Sequence, residues 1–328
     1  MKTVRLGRST VEIPRIGLGA VPFGREIDEK TSWDILDYAT SRGITLIDTA
    51  EAYGGGNSRQ GRRDSYQIDD AREVTDELHS SEKIIGRWMK DRRCRDRMIL
   101  CTKFSNGGKA DQVRQSLRDS LARLQTDRVD IYMLHVPFSD VPIRETLEAL
   151  TEEVKAGRVR TAGCSNFSML QLKEAHETAE KHGLVRMDST EPGFSLAQAD
   201  ARKDLLPYCE EQKIAAITYS PLAAGFLTGK YSKGGEIPKG TRFDISPAHA
   251  DVYFSDQNFR VIQNLRELSD ETGHPMTRLA VAWVFQHPGV SSVLVGARKR
   301  SHIDNAIEAL NLLPDPALKA RMDRWVEA

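Results

Sequence analysis

The sequence has no long apolar run, no net charge and few cysteines. Nothing in its 328 residues approaches the roughly 18 consecutive apolar residues of a membrane-spanning helix, so no membrane partner is expected. Lys plus Arg and Asp plus Glu each number 47. No surplus of positive charge is available for a phosphate backbone or an anionic bilayer, and no nucleic-acid partner is expected. The four cysteines, Cys94, Cys101, Cys164 and Cys209, show no CxxC spacing. That pattern offers neither a metal knuckle nor a disulfide framework, and reads as free thiols in a cytoplasmic protein. The first twenty residues carry Lys2, Arg5, Arg8 and Arg15 with no apolar stretch after them, so no secretory signal is expected. What is present, 39% hydrophobic and 29% charged residues, is ordinary for a globular chain and excludes disorder and collagen-like repeats.

Along the chain, helical stretches end at glycine and a short β-branched run follows at once. Helix 31–42 ends at Gly43 before ITLID, helix 143–156 at Gly157 before RVRTAG, and helix 168–182 at Gly183 before LVRMD. Glycine suits the left-handed position that closes a helix. Val113, Leu117, Leu121 and Leu124 form one helical stripe, and Ile143, Leu147, Leu150 and Val154 another. Eight strand candidates result: 15–20, 44–48, 97–103, 128–135, 158–163, 184–188, 214–220 and 290–296. Strands alternating with helices imply parallel pairing through right-handed crossovers. The pattern therefore predicts an α/β fold, a (β/α)₈ barrel, as one domain over 1–328 with a C-terminal helical extension. A hairpin precedes it, from Val4–Leu6 and Val11–Ile13. The stretch GLGAVPFG is not a dinucleotide fingerprint, because Pro22 stands where GxGxxG needs glycine.

Catalysis in such a barrel sits at the C-terminal ends of the strands. Asp48 ends ITLID, Lys103 ends ILCTK, His135 ends IYMLH, and Tyr53 lies in the loop after Asp48. A phenol is a weak acid near neutrality. A close ammonium stabilises the phenolate, an aspartate holds the ammonium, and a histidine can donate a hydrogen bond to a carbonyl oxygen. Together they suit carbonyl reduction, with hydride delivered by a cofactor.

With these residues in place, the sequence resembles the aldo-keto reductase superfamily along nearly its whole length. The signatures are LGRSTVEIPRIGLG, IDTAEAYG, ILCTKF, YMLHVP, GCSNF, YSPLAAGFLTGKY and VAWVFQHPGVSSVLVGA. The resemblance implies a catalytic tetrad of Asp48, Tyr53, Lys103 and His135, with Tyr53 as proton donor and NAD(P)H as hydride source. It implies Ser165 and Asn166 on the nicotinamide carboxamide and Tyr219 stacked on the ring. Ser220, Leu222, Gly225 and Lys230 would form the belt around the pyrophosphate. Gly296, Arg298 and Lys299 match the adenosine end, where two cations favour NADP(H) over NAD(H). Asp304 and Asn305 fit the family's helix pattern with a one-residue ambiguity.

The sequence departs from the family's pattern at two places. Where the family has a glutamine on the carboxamide, one register puts Glu191 and a second puts Ser189. An amide donates and accepts, whereas an ionised carboxylate only accepts. An ionised Glu191 would favour the oxidised ring, and a protonated one would not. Residues 57–79 look inserted, with Ile68, Ala71, Val74 and Leu78 spaced for a short helix. Following strand two, they rise from the catalytic face as a lid or a subunit contact. Phe23, Phe104, Phe138 and Phe167 lie just past strand ends, so an aromatic-rimmed substrate pocket is expected. The expected partner is a small carbonyl or alcohol, a sugar among the options, and an oligomer stays open. The alternative is a cofactor-sensing binding subunit resembling channel β subunits, which share the fold and keep the tetrad.

Overall fold

The computed structural model describes residues 1–312 and 316–327. Eight parallel strands close into a barrel: β3 (Ile16–Gly19), β4 (Leu46–Asp48), β5 (Ile99–Phe104), β6 (Val129–Leu134), β7 (Val159–Ser165), β8 (Met187–Glu191), β9 (Ala215–Thr218) and β10 (Val290–Gly296). The seam closes where β10 pairs with β3, Gly296 lying opposite Gly19. All eight expected strands are present. The helical outer layer includes α1 (Glu29–Ser41), α4 (Ala110–Leu124), α5 (Ile143–Lys155) and α6 (Met169–His182). α1 starts where the Asp28 side chain accepts from the Thr31 N–H, satisfying a donor that the first helical turn leaves bare. Gly43, Gly157 and Gly183 follow these helices with φ of +80°, +75° and +63°.

Strand alternation sorts side chains into two cores. One face packs outward against the helices, where Val113, Leu117 and Leu124 of α4 and Leu147 and Leu150 of α5 are buried. Each is worth about 1.5–3 kcal/mol in removed apolar surface. The other face fills the barrel with Leu46, Cys101, Ile131, Met133, Ala215, Ile217 and Leu294. The hairpin strands β1 (Thr3–Arg5) and β2 (Glu12–Pro14) lie one residue away from their expected bounds. Leu6, Val11 and Ile13 join the inner cluster and plug the barrel floor. At the other end of the chain, the Trp283 N–H donates to Asp323 of the C-terminal helix at 2.9 Å. Among the described residues, no helix is long and apolar enough to cross a membrane.

The insertion folds differently from its apolar spacing. The helix is α2 (Gly55–Tyr66), closed by Gln67 at φ +58°, and 67–79 return without a helix. Val74 and Leu78 stay exposed. The 68–78 stripe is largely exposed, and ion pairs set the path instead. Arg62 of α2 is buried, paired with Glu73 at 2.6 Å and Asp70 at 3.2 Å. Arg59 holds Asp69 at 2.9 Å. Arg62 also donates to the Ile245 carbonyl at 2.9 Å, and Arg72 pairs with Asp244 at 3.3 Å. The insertion is thereby fastened to the segment over the barrel mouth.

Candidate active site

Asp48, Lys103 and Glu191 end or nearly end three strands and point into the barrel. Lys103 is fully buried. Its ammonium lies 2.5 Å from Asp48 Oδ1 and 3.3 Å from Glu191 Oε1, and donates to the Thr49 carbonyl at 3.1 Å. Above it, the Tyr53 ring centre is 5.2 Å from Lys103 Nζ, and the His135 ring meets Tyr53 edge-on at 5.5 Å. The structure thus brings all four expected chemical groups together. Burial, the largest influence on Lys103, lowers its pKa, but the two carboxyls more than offset this and hold it well above the usual ammonium range. Burial raises the Tyr53 phenol, and the Lys103 charge acts against that rise. His135 is pushed down to about 3 by burial and by Lys103, so its imidazole is neutral.

These groups open onto a cavity of about 880 Å³ lined by Asp48, Tyr53, His135, Glu191 and Tyr219 among others. Its far half has the form of a dinucleotide cradle. Asn166, at φ +62°, donates to the His135 carbonyl at 2.9 Å and accepts from the Tyr219 hydroxyl at 2.8 Å. Ser165 Oγ donates to the Glu191 carbonyl at 3.0 Å. Past Tyr219 the backbone turns left-handed at Ser220, Ala223, Ala224 and Gly225. Successive amides in such turns form an anion-binding hollow. A Cβ on Gly225 would lie 3.3 Å from Lys230 Nζ, which also borders the hollow. Ser220, Leu222, Gly296, Arg298 and Asn305 line the same cavity. The residues present therefore fit an elongated, anionic dinucleotide.

Three expectations are corrected at the adenosine end and the substrate wall. Asp304 faces away from the cavity: it accepts from the Tyr38 hydroxyl at 2.6 Å and pairs with Arg42 at 2.9 Å. On α12 (Arg300–Asn311), residues 301, 302 and 305 share the inward face, and 304 lies a third of a turn away. Lys299 is exposed and off the wall, leaving Arg298 as the cation there. The phenylalanines do not rim the pocket. Phe104 follows inward-facing Lys103 on β5, so alternation turns it outward against Tyr132 and Phe138. Phe23 and Phe167 are buried in the outer core, and Phe138 packs against it.

The cavity has apolar lining, with Val21, Pro22, Ala52 and Leu294 among its residues, and a cluster of charged side chains set into it. Arg25 and Glu26 pair at 2.8 Å, and Arg242 reaches Glu26 at 3.6 Å while its Nε donates to His249 at 3.1 Å. Asn57 and Ser58 come from the insertion. Burial, then the Arg25 charge, lowers His249. Thr277, Ser301 and His302 also line the cavity. None of these carried a sequence signal beyond lying near helix starts, because distant segments assemble the wall. Of the two registers at β8, Glu191 is the strand-end residue, paired with Ser165, and Ser189 lies one alternation deeper.

The Aldo/keto reductase family model matches residues 15–326. Related proteins include aldo-keto reductase YhdN of Bacillus subtilis, 31% identical over 93% of this chain and 87% of the relative. A probable voltage-gated potassium channel subunit beta of Oryza sativa is 30% identical over 96% and 92%. Protein tas of Escherichia coli is 29% identical over 95% and 94%.

Proposed function

The chain belongs to the aldo/keto reductase family and is an NAD(P)H-dependent oxidoreductase; from that premise we propose that it interconverts a hydroxylated aldehyde or ketone and the alcohol, using NADP(H). The observation that supports this most is the buried Lys103 ammonium, held between the Asp48 carboxylate and the Tyr53 ring. A bound nicotinamide supplies the hydride. Ser165, Asn166 and Tyr219 would hold its ring end, the 220–230 turn its pyrophosphate, and Arg298 with Asn305 its adenosine end.

Tyr53 gives its phenolic proton to the carbonyl oxygen, and the Lys103 charge stabilises the phenolate left behind. Asp48 keeps that ammonium in place. Neutral His135 has one ring N–H, and donates it to the same oxygen, fixing the carbonyl beside Tyr53. In alcohol oxidation the proton returns to Tyr53. The hydrogen-bonding side chains of Arg25, Glu26, Asn57, Ser58 and Arg242 on that cavity support a hydroxylated, sugar-like substrate. A cytoplasmic location agrees with four free, buried cysteines.

The channel-subunit relatives favour a second reading, a subunit that binds the cofactor as a sensor. Turnover separates the two. Purified protein is mixed with NADPH or NADH and a panel of aldehydes, ketones and sugars, and the reduced-nicotinamide absorbance is followed. Steady multiple turnover supports the enzyme. Tight cofactor binding without turnover on any member supports the sensor.

A further inference from the structure

Beneath Tyr53 the barrel holds one cation and two carboxyl groups, all withdrawn from water: Asp48, Lys103 and Glu191 are 2%, 0% and 2% exposed. A carboxyl oxygen of each acid and the Cys101 sulfur lie within 4.8 Å of one another. If all three groups were ionised, two like charges would face each other at that range in a dry interior, where repulsion is strong. One shared proton makes the trio neutral. Geometry says where it resides. Asp48 has the shorter contact to the ammonium, at 2.5 Å against 3.3 Å for Glu191. Glu191 Oε2 has no hydrogen-bond partner. A bare, ionised oxygen buried there would be costly, whereas an acid has one oxygen to accept from Lys103 and one O–H to offer, with the Asp48 carboxylate close by.

We propose that Glu191 is a positioning residue for proton transfer: it stands as a neutral carboxylic acid against Lys103, and its ionisation at alkaline pH weakens the lysine's hold on Tyr53. This rests on the reading of Tyr53 as the proton-transfer group. Burial, and then the Asp48 charge, push the Glu191 carboxyl well up, against the pull of Lys103. The titratable groups near it are Asp48 from β4, Cys101 and Lys103 from β5, Tyr53 from the loop after β4, Tyr219 after β9, and Cys164 from β7, whose thiol is pushed up to about 12 by burial. His135 after β6 faces Tyr53. Burial raises Cys101 and Tyr219, the latter to about 12, and lowers His135, so all three are neutral near pH 7. Asp48 and Lys103 are then the standing charges, and Glu191 is the group whose proton can leave. Once it leaves, the trio is anionic and its added charge raises the phenol. Tyr53 becomes a poorer acid, and carbonyl reduction slows.

The test joins infrared spectra of the cofactor-free protein with pH–rate profiles. The wild type should show a carboxylic-acid C=O band at neutral pH that titrates away in alkali and is absent from Glu191→Gln. The alkaline fall in the reduction rate should move to higher pH in Glu191→Gln. Beyond the wild-type limb, the variant should lead by about tenfold per pH unit of separation. A missing band, or superimposable profiles, overturns the proposal. Glu191→Met replaces the glutamine variant if that protein does not fold. Tyr53→Phe is run alongside: if it turns over like the wild type, the parent reading fails, whatever the band shows.

Discussion

The Tyr53 and His135 rings meet edge to face, centroids 5.5 Å apart and planes at 79°. The contact holds the imidazole in a dry, cationic corner, where burial and Lys103 push its pKa to about 3. An ordinary histidine gains its proton near pH 6.5; this one does not.

The rate of carbonyl reduction should therefore show no imidazole limb between about pH 5 and 7. His135→Ala should lower the rate by about 10²–10³, the scale of a lost oxyanion donor, without changing the shape of the acid side. A wild-type limb near the usual histidine pKa that vanishes in this variant would contradict a neutral His135.

Cofactor choice should depend on Arg298 and not on Lys299. Arg298 lines the cavity with Nη1 anchored to the Gly240 carbonyl at 3.1 Å, whereas Lys299 is exposed. A hydrogen bond to a charged group is worth about 1.5–3 kcal/mol. Arg298→Ala should cut the preference for NADPH over NADH by about tenfold or more, and Lys299→Ala should leave it nearly unchanged. Fluorescence titration of both cofactors checks this.

The insertion should depend on one arginine. Arg62 and Glu73 pair at 2.6 Å with side chains 2% exposed each. Arg62→Ala strands a buried carboxylate, a change that typically costs about 3–5 kcal/mol. The expected outcome is local opening, read as faster proteolysis within 67–79, with barrel circular dichroism retained. Burial raises Glu73, but its bonds to Arg62 more than offset this, and its pKa ends below the usual range. Its contribution is present above the ordinary glutamate pKa and is lost as pH falls through the lowered value. Proteolysis of the wild type should accelerate there too.

The barrel was legible because its determinants are local. Helix stripes such as Val113–Leu124, the glycines that close helices, and β-branched runs each follow from neighbours in sequence. Strand ends were legible for the same reason, and with them Asp48, Lys103 and His135. What was not legible depends on facing. The Phe104 ring lies one residue from Lys103 and so on the opposite side of β5. Asp304 and Asn305 differ by a third of a helical turn. The polar cluster joins Arg25, Asn57 and Arg242 across more than two hundred residues, and the insertion's path follows ion pairs that spacing does not announce.

The central claim is that Tyr53 moves the proton, and the most direct measurement is kcat for Tyr53→Phe beside the wild type on the best substrate of the panel, with NADPH affinity measured on both. The phenyl ring keeps the packing and loses the acid. The account predicts a loss of about 10²–10⁴ in kcat with cofactor affinity nearly intact. A variant that keeps the wild-type kcat would contradict it.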